Sequence, residues 1–154
     1  YKNLLQAMNQ KQLHRGPDEG NVMLTKRCGL AHRRLSIIDL ETGRQPLTKS
    51  MSDHFFTIIF NGEIYNYKEL KQELICLNHT FQTTSDTEVI LECFLEFGPE
   101  FVKKLDGIYS FAIYNSRHET LLLYRDPFGI KPLFYTLLDI SECVITKDMV
   151  EELL

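Results

Sequence analysis

The strongest constraint in this chain is the order of its periodicities: β-like runs come in blocks, and helix-like runs come in blocks beside them. NVMLT and CGLAHRRLSII follow each other, and HFFTIIF, rich in aromatic and β-branched residues, stands after the polar stretch TGRQPLTKS. Two helical patterns come next. YKELKQELICL carries Leu70, Leu74 and Leu77 on one face, and SDTEVILECFLEFG has Ser85 and Glu88 spaced as a capping box, with Gly98 as its stop. IYSFAIYN and TLLLYRD then flank NSRHE as a hairpin, and KPLFYT reads as one more strand. An opening helix over LLQAMNQKQL, with Leu4, Leu5, Met8 and Leu13 near helical spacing, ends at the breakers of HRGPDEG. Segregated strands and helices predict an α+β fold with largely antiparallel sheets rather than a doubly wound parallel one.

At 154 residues the chain fits one domain with a core of its own, and 44% hydrophobic against 25% charged residues is the balance of a globular protein. A net charge of -4 provides no cationic surplus for nucleic acid or an anionic membrane, so neither is an expected partner. No apolar run approaches the roughly 20 residues of a membrane helix, and YKNLLQAMNQ lacks signal-peptide character, so the expected location is cytoplasmic. Cys28, Cys76, Cys93 and Cys143 show no CxxC spacing and read as reduced thiols. The five histidines show no HExxH-type spacing, and no metal site is expected.

Asn61-Gly62 follows the HFFTIIF run and admits two readings. Asn-Gly is a strong hairpin signal, because both residues tolerate positive φ. The mate strand would be only EIY, however, and a glycine amide beside an asparagine carboxamide can instead supply two donors to one developing oxyanion. Arg34, closing AHRR, reads either as a solvated edge charge or as a bidentate holder of a carboxylate. Asp86 reads either as a first-turn complement to the helix dipole or as a counter-charge for an ammonium group. RGPD and DPFG read as turns.

HRGPDEG, LAHRRLSIIDLETGRQPL, FNGEIYNYKEL, FQTTSDTEVIL, LDGIYSFAIYN and YRDPFGIKPLFY together, in this order, resemble the glutamine-hydrolysing domain of the asparagine synthetases, which are class II glutamine amidotransferases. The resemblance runs from about His14 to Tyr135. It implies a four-layer αββα sandwich of two antiparallel sheets, of the Ntn-hydrolase type. It also implies that Arg34 holds the α-carboxylate of glutamine, that Asp86 takes its α-ammonium, that Asn61 and Gly62 form the oxyanion hole, and that Glu63 continues the binding loop.

The activity implied is hydrolysis of glutamine to glutamate and ammonia, for ATP-dependent synthesis of asparagine from aspartate. No cofactor is implied for this half; ATP and magnesium belong to a synthetase domain. The implied partners are glutamine and a carboxyl-terminal synthetase domain of the same polypeptide, with a homodimer as a candidate assembly. Residues 1–142 are expected to form the amidotransferase domain and 143–154 to begin the segment leading to the synthetase domain.

In the family the nucleophile is a cysteine at the mature amino terminus, with its own α-amino group as base. Here position 1 is tyrosine, and the four cysteines do not match by position. The expectation is a short segment ahead of Tyr1 that begins Cys-Gly. Two alternatives belong to other classes: a homologue without a nucleophile that serves as a glutamine-binding or scaffold module, and an amidotransferase with a different acceptor.

Overall fold

The computed structural model describes residues 1–35 and 43–136. Helix α1 (Lys2–Lys11) is followed by an antiparallel pair, β1 (Glu19–Leu24) and β2 (Gly29–Arg34), joined by a turn in which the Thr25 hydroxyl and amide both meet the Cys28 carbonyl. A second antiparallel sheet runs in the order β3 (Leu47–Ser50), β4 (Phe55–Ile64), β5 (Gly107–Asn115) and β6 (Thr120–Arg125). Between β4 and β5 stand α2 (Tyr67–Cys76), α3 (Asp86–Phe97) and a 3-10 segment, Gly98–Lys104. The layers are α1, the two-stranded sheet, the four-stranded sheet, and α2 with α3, so the α+β sandwich expected from the sequence is the fold observed.

Period-2 alternation along β4 divides the sandwich. Phe56, Ile58, Phe60 and Ile64 pack with Tyr109, Phe111 and Ile113 of β5 against Leu70 and Leu74 of α2 and Val89, Ile90, Cys93 and Phe94 of α3. Leu74 and Ile90 are fully buried; truncating such a side chain to alanine costs about 2–5 kcal/mol. The opposite face of β4 turns toward the two-stranded sheet, where the Thr57 hydroxyl meets the Met23 sulfur. Burial of Asn9 on α1 is satisfied by the main chain it covers, since its Nδ2 donates to the carbonyls of Asn21 and His32.

Several local expectations are corrected. Asn61-Gly62 is not a hairpin turn: both residues lie within β4, paired with Ser110 and Tyr109. A side chain cannot replace the hydrogen of Gly62, because a Cβ there would stand 2.1 Å from the Ile108 carbonyl oxygen. The polar stretch before HFFTIIF contains a strand, β3, whose Thr48 hydroxyl pairs with that of Thr57 across the sheet. Residues 131–136, within KPLFYT, form no strand.

Leu13 lies beyond α1, and Leu77 caps α2 half exposed; neither joins the core. Cys28 sits in the β1–β2 turn rather than on a strand. Ser85 caps α3 as expected, but it accepts the Thr87 amide, and Glu88 closes no reciprocal box. Its buried carboxylate instead takes the amides of Gln82 and Thr83 and the Thr83 hydroxyl, shaping the loop that leads into α3. The NSRHE hairpin joins β5 to β6 as expected, with Glu119 at φ 52°. Cys143 and the expected segment 143–154 lie outside the described residues, as does the end of the LSII run.

Candidate active site

Five residues singled out in the sequence converge. Arg34 at the end of β2, Asn61, Gly62 and Glu63 near the end of β4, and Asp86 at the start of α3 all line one cavity of about 460 Å³. That is the size range of a small-molecule site.

The end of β4 explains how a strand comes to serve this cavity. Strand β3 runs out at its Leu47–Ile58 pair, and beyond it one edge of β4 has no strand neighbour among the described residues. Main-chain groups of alternate residues face alternate edges. The Tyr65 amide goes to the Asp106 carbonyl on the β5 side, which leaves Phe60, Gly62 and Ile64 facing the open edge. The Phe60 amide is taken by Gln45 Oε1 at 2.6 Å and the Ile64 amide by Asp86 Oδ2 at 3.2 Å. Between these two, the Gly62 amide faces the same edge, and Gly62 and Asn61 both line the cavity.

Charge at the cavity is arranged in two signs. Arg34, Arg15 and Lys131 bring positive charge, and Glu63 and Asp86 negative. Burial raises the Asp86 carboxyl above the usual aspartate range, and the charge of Glu63 adds to the shift, while the amides of Ile64 and Thr87 oppose it. A carboxylate held in this way gains from a cationic ligand. Gly43 packs against Arg34 so closely that a Cβ would stand 2.6 Å from its guanidinium.

Sequence reasoning did not single out four residues that shape the site. His32 donates from Nε2 to the Phe60 carbonyl at 3.1 Å. Burial lowers its pKa and the nearby Arg34 charge adds to this, outweighing the opposing effect of the carbonyl bond. Gln45 is buried at the cavity wall. Asp126, read as part of a mere turn, is buried and accepts the amides of Ile130 and Lys131 at 2.9 Å each, so that Lys131 is carried to the cavity. Burial alone would raise the Asp126 carboxyl, but these amides bring it below the usual range. The sequence signal for all four was their place inside the quoted motifs, which says nothing about which atoms they meet.

None of the three described cysteines lines the cavity: Cys28 is in a turn, Cys76 is exposed, and Cys93 is in the core with its thiol pushed up to about 12 by burial. Among the described residues no cluster of His, Cys, Asp and Glu is arranged to hold a metal ion, and no helix is long and apolar enough to cross a membrane.

Residues 1–149 match the family model described as a glutamine amidotransferase domain. Among curated proteins, asparagine synthetase [glutamine-hydrolyzing] 1 of Bacillus subtilis is 50% identical over 133 residues, covering 86% of this chain and 21% of its own length. Asparagine synthetase B of Escherichia coli is 44% identical over 121 residues, covering 79% of this chain and 21% of its own. This chain thus spans about a fifth of the length of these relatives. A solved structure of glutamine phosphoribosylpyrophosphate amidotransferase from B. subtilis aligns with a TM-score of 0.57 and 29% identity over 68% of this chain and 24% of that one. With the family model covering nearly the whole sequence and the sandwich matching a solved amidotransferase, the chain belongs to the glutamine amidotransferase domain family.

Proposed function

We propose that this domain hydrolyses glutamine to glutamate and ammonia, and that the ammonia serves ATP-dependent asparagine synthesis from aspartate in a synthetase domain of the same polypeptide. The observation that carries this reading is the convergence of Arg34, Asp86, Asn61 and Gly62 on one cavity.

Arg34 meets the α-carboxylate of glutamine through its planar fork, and Asp86 meets the α-ammonium. With the amino-acid end held, the side-chain amide reaches the end of β4. Attack of a thiolate on that carbon forms a tetrahedral oxyanion, which the Gly62 amide and the Asn61 carboxamide stabilise more strongly than they do the ground-state carbonyl. The nucleophile in this reading is a cysteine that precedes Tyr1, as in the family. Residues 1–142 constitute the amidotransferase unit, and ATP and magnesium act in the synthetase domain. The relatives named as glutamine-hydrolysing asparagine synthetases support this acceptor over others.

The test uses the full polypeptide supplied with aspartate, ATP and magnesium. Asparagine should form with either glutamine or ammonia as nitrogen source, and an electrophilic glutamine analogue should label one cysteine ahead of Tyr1. Arg34→Lys should impair the glutamine-dependent reaction and spare the ammonia-dependent one. Glutamine binding without hydrolysis would instead establish a scaffold or sensor. Glutaminase activity without asparagine formation would point to another acceptor.

A further inference from the structure

Phe60 lies one residue before Asn61, and side chains rather than a strand hold the edge of its peptide that faces away from β5. Its carbonyl accepts His32 Nε2–H at 3.1 Å and its amide donates to Gln45 Oε1 at 2.6 Å. The other end of the Gln45 carboxamide, Nε2, donates to the Thr87 hydroxyl at 3.4 Å, one residue beyond Asp86. Gln45 is 8% exposed and Thr87 3%.

Burying a carboxamide is costly unless both of its ends are bonded. A methionine or leucine would fill similar space without that cost, so packing alone does not account for a glutamine here. Strand β3 begins only at Leu47, and its register with β4, extended by two residues, would set position 45 opposite Phe60. The side-chain oxygen of Gln45 therefore stands where a strand neighbour would have accepted the Phe60 amide.

We propose that Gln45 is a positioning residue for the reaction: its buried carboxamide ties Phe60 on β4 to Thr87 on α3, and so fixes the aim of the Gly62 amide relative to Asp86. The proposal rests on the reading of Asn61 and Gly62 as oxyanion donors. Gln45 touches no reacting atom. With Asp86 holding Ile64 on the far side of Gly62, the donor peptide is anchored two residues before and two residues after. The shorter of the two Gln45 bonds is the one to Phe60, so its loss acts mainly on the oxyanion end of the site and on turnover.

The experiment compares the full polypeptide with its Gln45→Met and Gln45→Glu variants. Methionine keeps the volume and removes both bonds; glutamate keeps an oxygen for the Phe60 amide and, when protonated, a donor for Thr87. Displacing reacting groups by about 1 Å can cost on the order of 10² in rate. Gln45→Met should therefore lower kcat for glutamine hydrolysis by about that factor with KM little changed, while Gln45→Glu recovers most of kcat. Ammonia-dependent synthesis should be the same in all three.

Hydrogen–deuterium exchange of a peptide spanning residues 58–63 should be faster in Gln45→Met than in wild type and Gln45→Glu. A packing role predicts the reverse order, with the apolar isostere tolerated and the buried acid harmful. A Gln45→Met enzyme as fast as Gln45→Glu, or unchanged exchange, overturns the proposal. Wild type that fails to hydrolyse glutamine overturns the amidotransferase reading itself, and the Gln45 role with it.

Discussion

Asp86 Oδ2 accepts the amide of Ile64 at 3.2 Å, so the first residue of α3 is fastened to β4 two residues past Gly62. One carboxylate thereby serves both the scaffold and the cavity, and the two roles can be separated. Asparagine at this position keeps an oxygen for Ile64 and removes the charge. Asp86→Asn is expected to raise KM for glutamine by an order of magnitude or more with a much smaller change in kcat, because the lost counter-charge is remote from the reacting carbon.

The same substitution has a signed effect on stability. Burial raises the folded pKa of Asp86 above its unfolded value, so the native state binds this proton more tightly. Its ionisation therefore detracts from stability as pH rises through that window. At neutral pH Asp86→Asn should melt no lower than wild type. In the wild-type enzyme, kcat/KM for glutamine should fall on acidification at a pH above the ~3.9 of an ordinary aspartate. A profile flat down to that value would detach Asp86 from substrate.

Asn61→Ala and Gly62→Ala should fail differently. Removing one oxyanion donor costs about 10²–10³ in kcat, and Asn61→Ala should show that loss with its melting temperature near wild type, since the side chain is exposed. Gly62→Ala brings a Cβ to 2.1 Å from the Ile108 carbonyl and 2.8 Å from the Tyr109 Cα. It must part β4 from β5, and thermal unfolding should show a marked loss of stability. Equal melting temperatures for the two variants would contradict the pairing of Gly62 with Tyr109.

Gly43→Ala tests the placement of Arg34 without changing Arg34. The added methyl must displace the guanidinium, whose nearest nitrogen would stand 2.6 Å away. Glutamine KM should rise by about tenfold, short of the 2–5 kcal/mol expected for outright loss of a buried charge pair. Ammonia-dependent synthesis should be unaffected. An unchanged KM would mean that Arg34 can serve from a different position.

Away from the cavity, His79 bridges two carboxylates: Nδ1 meets Glu92 Oε2 at 2.7 Å and Nε2 meets Glu96 Oε2 at 2.8 Å, while Lys49 pairs with the other oxygen of the buried Glu92. Burial alone would lower the histidine, but its bonds to Glu96 and Glu92 outweigh it and raise the pKa. Its contribution to stability is therefore complete below the ordinary histidine value of about 6.5 and is lost as pH rises through the folded value. His79→Gln should flatten the melting temperature against pH above 6.5, where wild type declines. A parallel decline in both proteins would show that the bridge is not protonated.

The sequence by itself determined the elements and their partition. The apolar face of YKELKQELICL, the cap and stop of SDTEVILECFLEFG and the aromatic and β-branched residues of HFFTIIF each favour one kind of backbone, and each forms the expected element. The quoted motifs also mark Arg34, Asn61, Gly62, Glu63 and Asp86 as candidate site residues. What the sequence left open was decided by contacts between distant segments. Asn61-Gly62 satisfies the local chemistry of a turn, and it becomes part of a strand because β5 pairs with it along its full length and Gly107 and Gly62 allow the two backbones to approach. Glu88 has the spacing of a capping box, yet the loop ahead of it offers three donors and wins the carboxylate. Gln45 and Asp86 stand 15 residues before Phe60 and 22 after Ile64, separations at which local periodicity carries no information. Only the folded arrangement of β4 against the start of α3 makes them the two anchors on either side of Gly62, because a side-chain hydrogen bond depends on distance in space and not on distance along the chain.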